Sequence, residues 1–559
     1  MIKPLTGAGR VAGAAALIAV LTVLSRLAGF GRTVVFTWTL GPSDLGGAYL
    51  VANNLPNFIF EIVAGGALAS LVVPLLAGAV QAGDRRAVAA TTGALLSWTL
   101  SLLVPLALLV ALLAGPLMSV LGPGLTEAQH AAGVRMLWLF APQLPLYGVG
   151  IVLTGVLQAH RRFAWPVIAP LLSSVTVIGV YLAFAMAEGL LATVGGVSRA
   201  GQLLLAGGTT LGVVVLSLSL LIPLRALGLR LRPGYRFPAE ARARVGGLAL
   251  AGLVTVGAQQ VALMVSLNQV TFGPTFNPGV YNLAQSVYFL PWAVLAVPLA
   301  VAAYPTLAAA RATGDERTYR ETLAPAVRGV VLFSLLGAAA LVGTAAPVGE
   351  FFFPGKPAAG PAAAAIAGFA PGLLGYGLFA ILTRALYARG ETRAATAATA
   401  GGWLTVPVLA VLLGQLLPPG QRVLAVTLGT SGGMLVLGAL LVAAVRRTAG
   451  PAALAGLGRA GAAGLLAAVL AAPAGIATSR VVAAAAGTPT LAGALVQGML
   501  SGAVVGAVYL AVAWLADRRD VAPLLAAVGR RLSRRRARPA AGPPAGARHE
   551  QSLTEGEDG

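Results

Sequence analysis

From residue 11 to residue 516 the chain is a succession of apolar stretches near bilayer length, which restricts it to very few folds. A helix crossing hydrocarbon needs about 20 apolar residues and satisfies its own backbone N–H and C=O groups. We read about fourteen such spans, at 11–40, 47–80, 88–115, 131–158, 163–187, 202–224, 245–270, 279–310, 324–347, 362–388, 394–417, 423–445, 455–478 and 490–516. Composition agrees: 58% of the residues are hydrophobic and 10% charged, more apolar surface than a soluble fold of this length can bury. The 72 glycines and 35 prolines suit close-packed, kinked membrane helices rather than sheets. The expected fold class is an all-α integral membrane protein with about 14 transmembrane helices.

The net charge of +21 raises the possibility of a nucleic-acid partner, but its distribution argues against one. Basic residues fall on alternate connections. One set carries Lys3 and Arg10, Arg85 and Arg86, Arg161 and Arg162, then Arg225, Arg230, Arg232, Arg236, Arg242 and Arg244. It continues with Arg311, Arg317 and Arg320, Arg389 and Arg393, and Arg446 and Arg447. The other set has scattered single charges such as Arg199, Lys356, Arg422 and Arg480. By the positive-inside rule both termini are expected in the cytoplasm. Arg26 and Arg32 within the first span argue against a cleaved signal peptide. After residue 517 a basic run at Arg530–Arg538 precedes an acidic end, and reads either as a disordered tail or as a binder of anionic headgroups.

The chain also repeats itself at a spacing of about 230 residues. Gly41-Pro42, Gly47, Tyr49 and Ala52 return as Gly273-Pro274, Gly279, Tyr281 and Ala284. Gly83-Asp84 and Arg86 return as Gly314-Asp315 and Arg317. Phe140-Ala141-Pro142, Tyr147-Gly148 and Leu153-Thr154 return as Phe369-Ala370-Pro371, Tyr376-Gly377 and Leu382-Thr383. Two matched halves are the signature of a transporter with its site where the halves meet.

Ionisable groups inside spans are costly and mark cavities or partners. Arg26 and Arg32 lie in the first span, Glu61 in the second and Arg384 near the end of the tenth. Six residues separate the two arginines, which places them about 120° apart on a regular helix. A bend at Gly29 and Gly31 would let both meet one anion; otherwise one pairs with Glu61 and the other snorkels to a surface. Glu61 is accordingly an ion-pair partner or a proton carrier. The second span is polar at Asn53, Asn54, Pro56 and Asn57, ahead of Gly65-Gly66, and reads as a broken cavity-lining helix or as helix–helix glue. The repeat puts Ala258 and Met264 opposite Arg26 and Arg32, so the second half offers amides instead: Gln259, Gln260, Asn268, Asn282 and Gln285. This asymmetry suits a cargo with one anionic end.

Ser25-Arg26-Leu27-Ala28-Gly29-Phe30-Gly31-Arg32 resembles the opening signature of the MurJ/MviN flippases of the MOP exporter superfamily. Leu55-Pro56-Asn57, Val73-Pro74, Arg162-Phe163 with Pro166, Leu290-Pro291 through Pro305, and Tyr387-Ala388-Arg389-Gly390 with Thr392 extend the resemblance along the chain. It implies two six-helix lobes, 1–224 and 245–446, joined by a basic linker at 225–244. Two extra helices at 447–516 and a basic cytoplasmic tail at 517–559 follow. It also implies transport of lipid II, or another polyprenyl-diphosphate-linked glycan, from the inner to the outer leaflet of a bacterial plasma membrane. Arg26 and Arg32 would meet the diphosphate, with Asn53, Asn54, Asn57, Glu61, Gln259 and Gln260 around the headgroup. The chain departs from the family pattern at Thr33 and Gly47, where the family often carries aspartate, at Phe60 or Glu61, where a basic residue is expected, and at Ser286, where many members carry arginine.

Membrane lipids and cell-wall synthesis proteins are the remaining expected partners; no nucleic acid and no cofactor are expected. An enzyme is disfavoured: three histidines lie at no metal-ligand spacing and paired intramembrane carboxylates are missing. The alternatives are a drug or ion antiporter, which would use Glu61, and a transport-inactive scaffold. The topology is testable because the chain has no cysteine. In intact cells a membrane-impermeant thiol reagent should label Arg199→Cys and spare Arg86→Cys; the reverse pattern would invert the orientation.

Overall fold

A computed structural model describes residues 7–63, 69–229, 231–236, 239–486 and 490–522. Lys3, Gly65-Gly66, Arg230 and the basic run at 530–538 lie outside those residues. The first lobe comprises α1 (Gly7–Thr39), α2 (Asp44–Val63), α3 (Ala69–Gln81), α4 (Arg85–Leu112) and α5 (Ala114–Leu121). It continues with α6 (Glu127–Phe140), α7 (Gln143–Ala159), α8 (Trp165–Glu188), α9 (Arg199–Leu218) and α10 (Leu221–Arg225). The second comprises α11 (Ala239–Val270), α12 (Asn277–Pro291), α13 (Val297–Ala312), α14 (Glu316–Gly343) and α15 (Ala345–Phe352). It ends with α16 (Ala359–Phe369), α17 (Gly372–Ala388), α18 (Thr392–Leu416) and α19 (Arg422–Ala449), followed by α20 (Leu457–Ala486) and α21 (Leu491–Ala516).

The chain is a multi-pass, all-helical membrane protein, with no strand among the described residues. Twelve helical stretches there are long and apolar enough to cross a bilayer, and counting the bent pair α16–α17 as one span gives up to 13. The expected count of about fourteen is thus approximate. Helix α2 falls below the apolar threshold because its asparagines and acidic residues lower its hydropathy. Leu112 and Met186 are 80% and 81% exposed, an outward apolar face that water would disfavour and acyl chains accept.

The sequence repeat becomes a repeat of local structure. Gly83 and Gly314 take positive φ values of 70° and 73°, left-handed backbone that glycine adopts without strain. The aspartate after each caps the next helix: Asp84 accepts from the Arg86 and Ala87 amides, and Asp315 from the Thr318 amide. Pro142 and Pro371 interrupt the paired helices α6–α7 and α16–α17, the latter bent by 44°. Thr210 Oγ1 donates to the Leu139 carbonyl (2.7 Å), and Ser431 Oγ donates to the Gly368 carbonyl (2.7 Å) at the corresponding place. Tyr49 packs on Phe140 with ring centroids 5.6 Å apart, as Tyr281 does on Phe369 at 5.9 Å.

The lobes meet at the end that carries the α1–α2 turn. A Cβ on Gly279 would lie 1.8 Å from the Gly41 carbonyl oxygen, and one on Gly124 1.9 Å from that of Thr271. Asn268 Nδ2 donates to the Val120 carbonyl across the same seam (2.6 Å). Several repeat glycines are therefore where the two backbones touch.

Helices α20 and α21 pack on each other and on α14. Arg328 of α14 bonds Asp520 (2.9 Å), and Arg459 of α20 bonds both Asp517 (3.0 Å) and Asp520 (2.9 Å). Burial pushes the Asp520 carboxyl up, but the hydrogen bonds from Arg459 and Arg328 outweigh it and hold it below the usual range. Gly279→Ala should overpack the seam, costing about 1–3 kcal/mol and lowering the melting temperature in detergent. Gly78→Ala, where nothing lies within 4 Å of the added Cβ, should leave it unchanged; equal melting of both variants would show a seam looser than described.

Candidate functional site

Helices α1, α2, α7, α8 and α9 enclose a cavity of ≈ 320 Å³ that Asn282 of α12 reaches from the second lobe. Arg32, Asn53, Asn54 and Asn57 all line it. Pro56 has no N–H, yet α2 runs unbroken through it. Two side-chain amides of this helix bond back to its carbonyls, Asn54 Nδ2 to that of Leu50 (2.8 Å) and Asn57 Nδ2 to that of Asn53 (2.9 Å). Tyr147 donates to Asn57 Oδ1 (2.8 Å) while its ring lies 4.4 Å from that of Phe60. The Tyr49 hydroxyl bridges Tyr181 (2.8 Å) and Thr209 (3.0 Å) on the far wall. Asn53 Oδ1 is buried with no partner among the described residues, an acceptor left for a water or a ligand donor.

Among the described lining residues Arg32 is the one arginine and no carboxylate accompanies it, so this lining carries positive charge. No carboxylate among the described residues pairs with it, although its charge is within electrostatic reach of Tyr49, Tyr147 and Tyr181. The repeat gives the second lobe a different interior. Asn57 corresponds to Phe289 and Arg32 to Met264, and there Tyr288 stacks on Phe369 at 4.9 Å and Trp292 lies 4.6 Å from Tyr376. Those rings leave only ≈ 10 Å³ free, room for about one water. Among the described cavities, the arginine and the larger space belong to the first lobe.

The family model described as "Lipid II flippase MurJ" matches residues 36–498. The chain belongs to the MurJ family. A probable lipid II flippase MurJ of Synechocystis sp. is 31% identical over 234 residues, 41% of this chain and 43% of the relative. That of Rhizobium meliloti is 29% identical over 255 residues, 44% of this chain and 45% of the relative. The chain thus spans less than half the length of these curated relatives. Among solved structures, a lipid II flippase MurJ in an inward closed conformation superposes with a TM-score of 0.70 at 18% identity, covering 89% of this chain and 98% of that one. An inward-facing multidrug resistance MATE transporter of the MOP superfamily gives 0.63 at 16% identity, covering 78% and 98%. Both show a shared fold.

The remaining expected residues of this MurJ-family chain fall elsewhere. Helix α1 continues through Gly29 and Gly31, and Arg26 is exposed without lining the cavity. Glu61, in the last turn of α2, is exposed and forms no ion pair with either arginine. Gln259 is half-buried and Gln260 buried on α11, both away from the cavity lining. Arg384 folds back on the Ala380 carbonyl of its own helix. Tyr49 and Tyr147 were visible only as repeat markers, and Ser173, Ser174, Tyr181 and Thr209 left no signal beyond being polar within apolar spans. A wet cavity has a direct test. Ser174→Cys should react with a hydrophilic thiol reagent, while Thr92→Cys, fully buried and outside the lining, should not; equal inertness of both would mean a dry site.

Proposed function

We propose that this chain is a flippase for lipid II, or another polyprenyl-diphosphate-linked glycan, in a bacterial plasma membrane, with both termini cytoplasmic. Family membership supports the transport class. The single observation that carries the anionic cargo is Arg32, a guanidinium without a carboxylate partner in a polar cavity of ≈ 320 Å³. Charge-assisted, bidentate hydrogen bonds are what a guanidinium offers a diphosphate. Asn53, with its free acceptor, Asn54 and Asn57 suit the amides and hydroxyls of a glycopeptide head. The polyprenyl tail stays in lipid, so only the head needs the polar path.

The seam at the α1–α2 end closes one side of the molecule; rocking the lobes about it would expose the cavity to the opposite leaflet. An interior-negative potential assists an anion moving outward, by ~2.3 kcal/mol per charge per 100 mV and about 4–5 for two uncompensated charges. Arg26, Glu61, Gln259 and Gln260, outside the cavity lining, contribute in this reading only along the entry path or after the lobes move. An antiporter of cations would want a carboxylate in the cavity, and the described lining residues include none.

In a strain depleted of its own flippase, Arg32→Ala should abolish complementation, with lipid II accumulating on the cytoplasmic leaflet. Arg32→Lys should retain part of the activity, since the charge stays and the bidentate geometry goes. Full complementation by Arg32→Ala at wild-type protein levels would remove the basis of the proposal.

A further inference from the structure

A second cavity, of ≈ 250 Å³, lies at the opposite end of the first lobe from the seam, between the ends of α3 and α7 and the start of α4. The repeat explains why it exists. At the corresponding place in the second lobe, Glu316 sits between two arginines, bonding Arg389 at 2.9 Å and Arg311 at 3.3 Å. Arg389 also stacks over the Tyr319 ring, 5.0 Å from its centroid. The local backbone is the same in both lobes. The Asp84 amide bonds the Ala79 carbonyl (3.0 Å) as that of Asp315 bonds Ala310 (2.8 Å). The Arg162 amide bonds the Leu157 carbonyl (2.8 Å) as that of Glu391 bonds Leu386 (2.9 Å).

On that shared frame the side chains differ. Arg311, Glu316, Tyr319 and Arg389 become Val80, Arg85, Val88 and His160. The smaller side chains leave the cavity, and exchanging Glu316 for Arg85 removes the acid that neutralised the cluster. Arg85, His160 and Arg162 all line the space. The acid there, Asp84, is occupied in capping α4 through the Arg86 and Ala87 amides, and no ion pair to Arg85 or Arg162 forms among the described residues. Arg162 is fixed by its bond to the Pro223 carbonyl (3.3 Å). At neighbouring Arg161 the backbone adopts a φ of 57°, where the second lobe has Gly390, so a non-glycine residue is held in a costly conformation beside the cavity.

We propose that this cavity binds a phosphate group where the second lobe carries its own carboxylate, and that the phosphate belongs to an anionic phospholipid of the adjoining leaflet. The lining joins cationic groups to Val80, Leu227 and Leu229, which suits a headgroup continuing into a glycerol backbone and acyl chains rather than a free ion. The site is separate from the cavity that holds Arg32.

The full-length protein in nanodiscs tests this, using phosphatidylcholine with or without phosphatidylglycerol and native mass spectrometry to count retained phosphatidylglycerol. Arg85→Glu restores the acid of the other lobe, and Val88→Tyr fills the space as Tyr319 does. Each should lower retention about tenfold, the effect of losing a charge-assisted hydrogen bond. Arg86→Gln, outside the lining, should not. If inorganic phosphate raises the melting temperature of the wild type but of neither variant in pure phosphatidylcholine, while phosphatidylglycerol retention is equal in all, the phosphate site stands and its source is soluble. Equal retention and equal phosphate response across wild type, Arg85→Glu and Val88→Tyr would overturn the proposal. Using two variants that act by charge and by volume separates a lost ligand from a misfolded protein.

Discussion

A guanidinium inside a helical membrane bundle must be paired, hydrated or bound to an anion, because an unpaired charge at mid-membrane costs about 2.5–3.5 kcal/mol even on permissive scales. Arg328 and Arg459, near the starts of their spans, take the first course, each bonded to a carboxylate. Arg32 has no such partner and opens on a cavity lined by amides and hydroxyls. The polar residues of α2 follow from this requirement. Asn54 and Asn57 turn part of their hydrogen-bonding capacity back on their own helix, and the rest of it faces the cavity.

Internal duplication supplies the frame, and divergence of side chains on that frame makes the two lobes differ. Conserved between the lobes are features that set backbone shape: the left-handed Gly83 and Gly314, the caps Asp84 and Asp315, and the prolines that break α6–α7 and α16–α17. What changes is the filling. The second lobe packs its interior with tyrosine, phenylalanine and tryptophan rings and closes its end with an arginine–glutamate–arginine cluster. The first lobe leaves both places open and cationic. One half has its interior filled by rings, and the other keeps a polar cavity open.

Much of this was legible in the amino-acid order. Apolar runs gave the helices, and repeated glycines and prolines gave the duplicated plan. Arg32 and the asparagines of α2 were identifiable because polar groups inside apolar spans are few. The link between Arg26 and Arg32 was less legible: their convergence depended on a bend in α1, and the helix is continuous there. The Arg328–Asp520 pair was invisible, since its members are 192 residues apart and neither lies in a recognisable motif. Tyr181 and Thr209 were invisible for the same reason, being ordinary residues until α8 and α9 carry them to the Tyr49 hydroxyl.

The sequence by itself determined the class of fold, its twofold internal repetition and the sign of its central charge. Those depend on local properties: span length, backbone conformation at glycine and proline, and the cost of a polar group in hydrocarbon. Tertiary structure decided which side chains share a cavity, that Arg26 and Glu61 stand outside it, and that glycines bring the backbones of the two lobes together at the α1–α2 end. Space is a property of packing between helices distant in the chain, and volumes left by Val80 and Val88 or filled by Tyr319 and Tyr376 appear only once those helices are side by side.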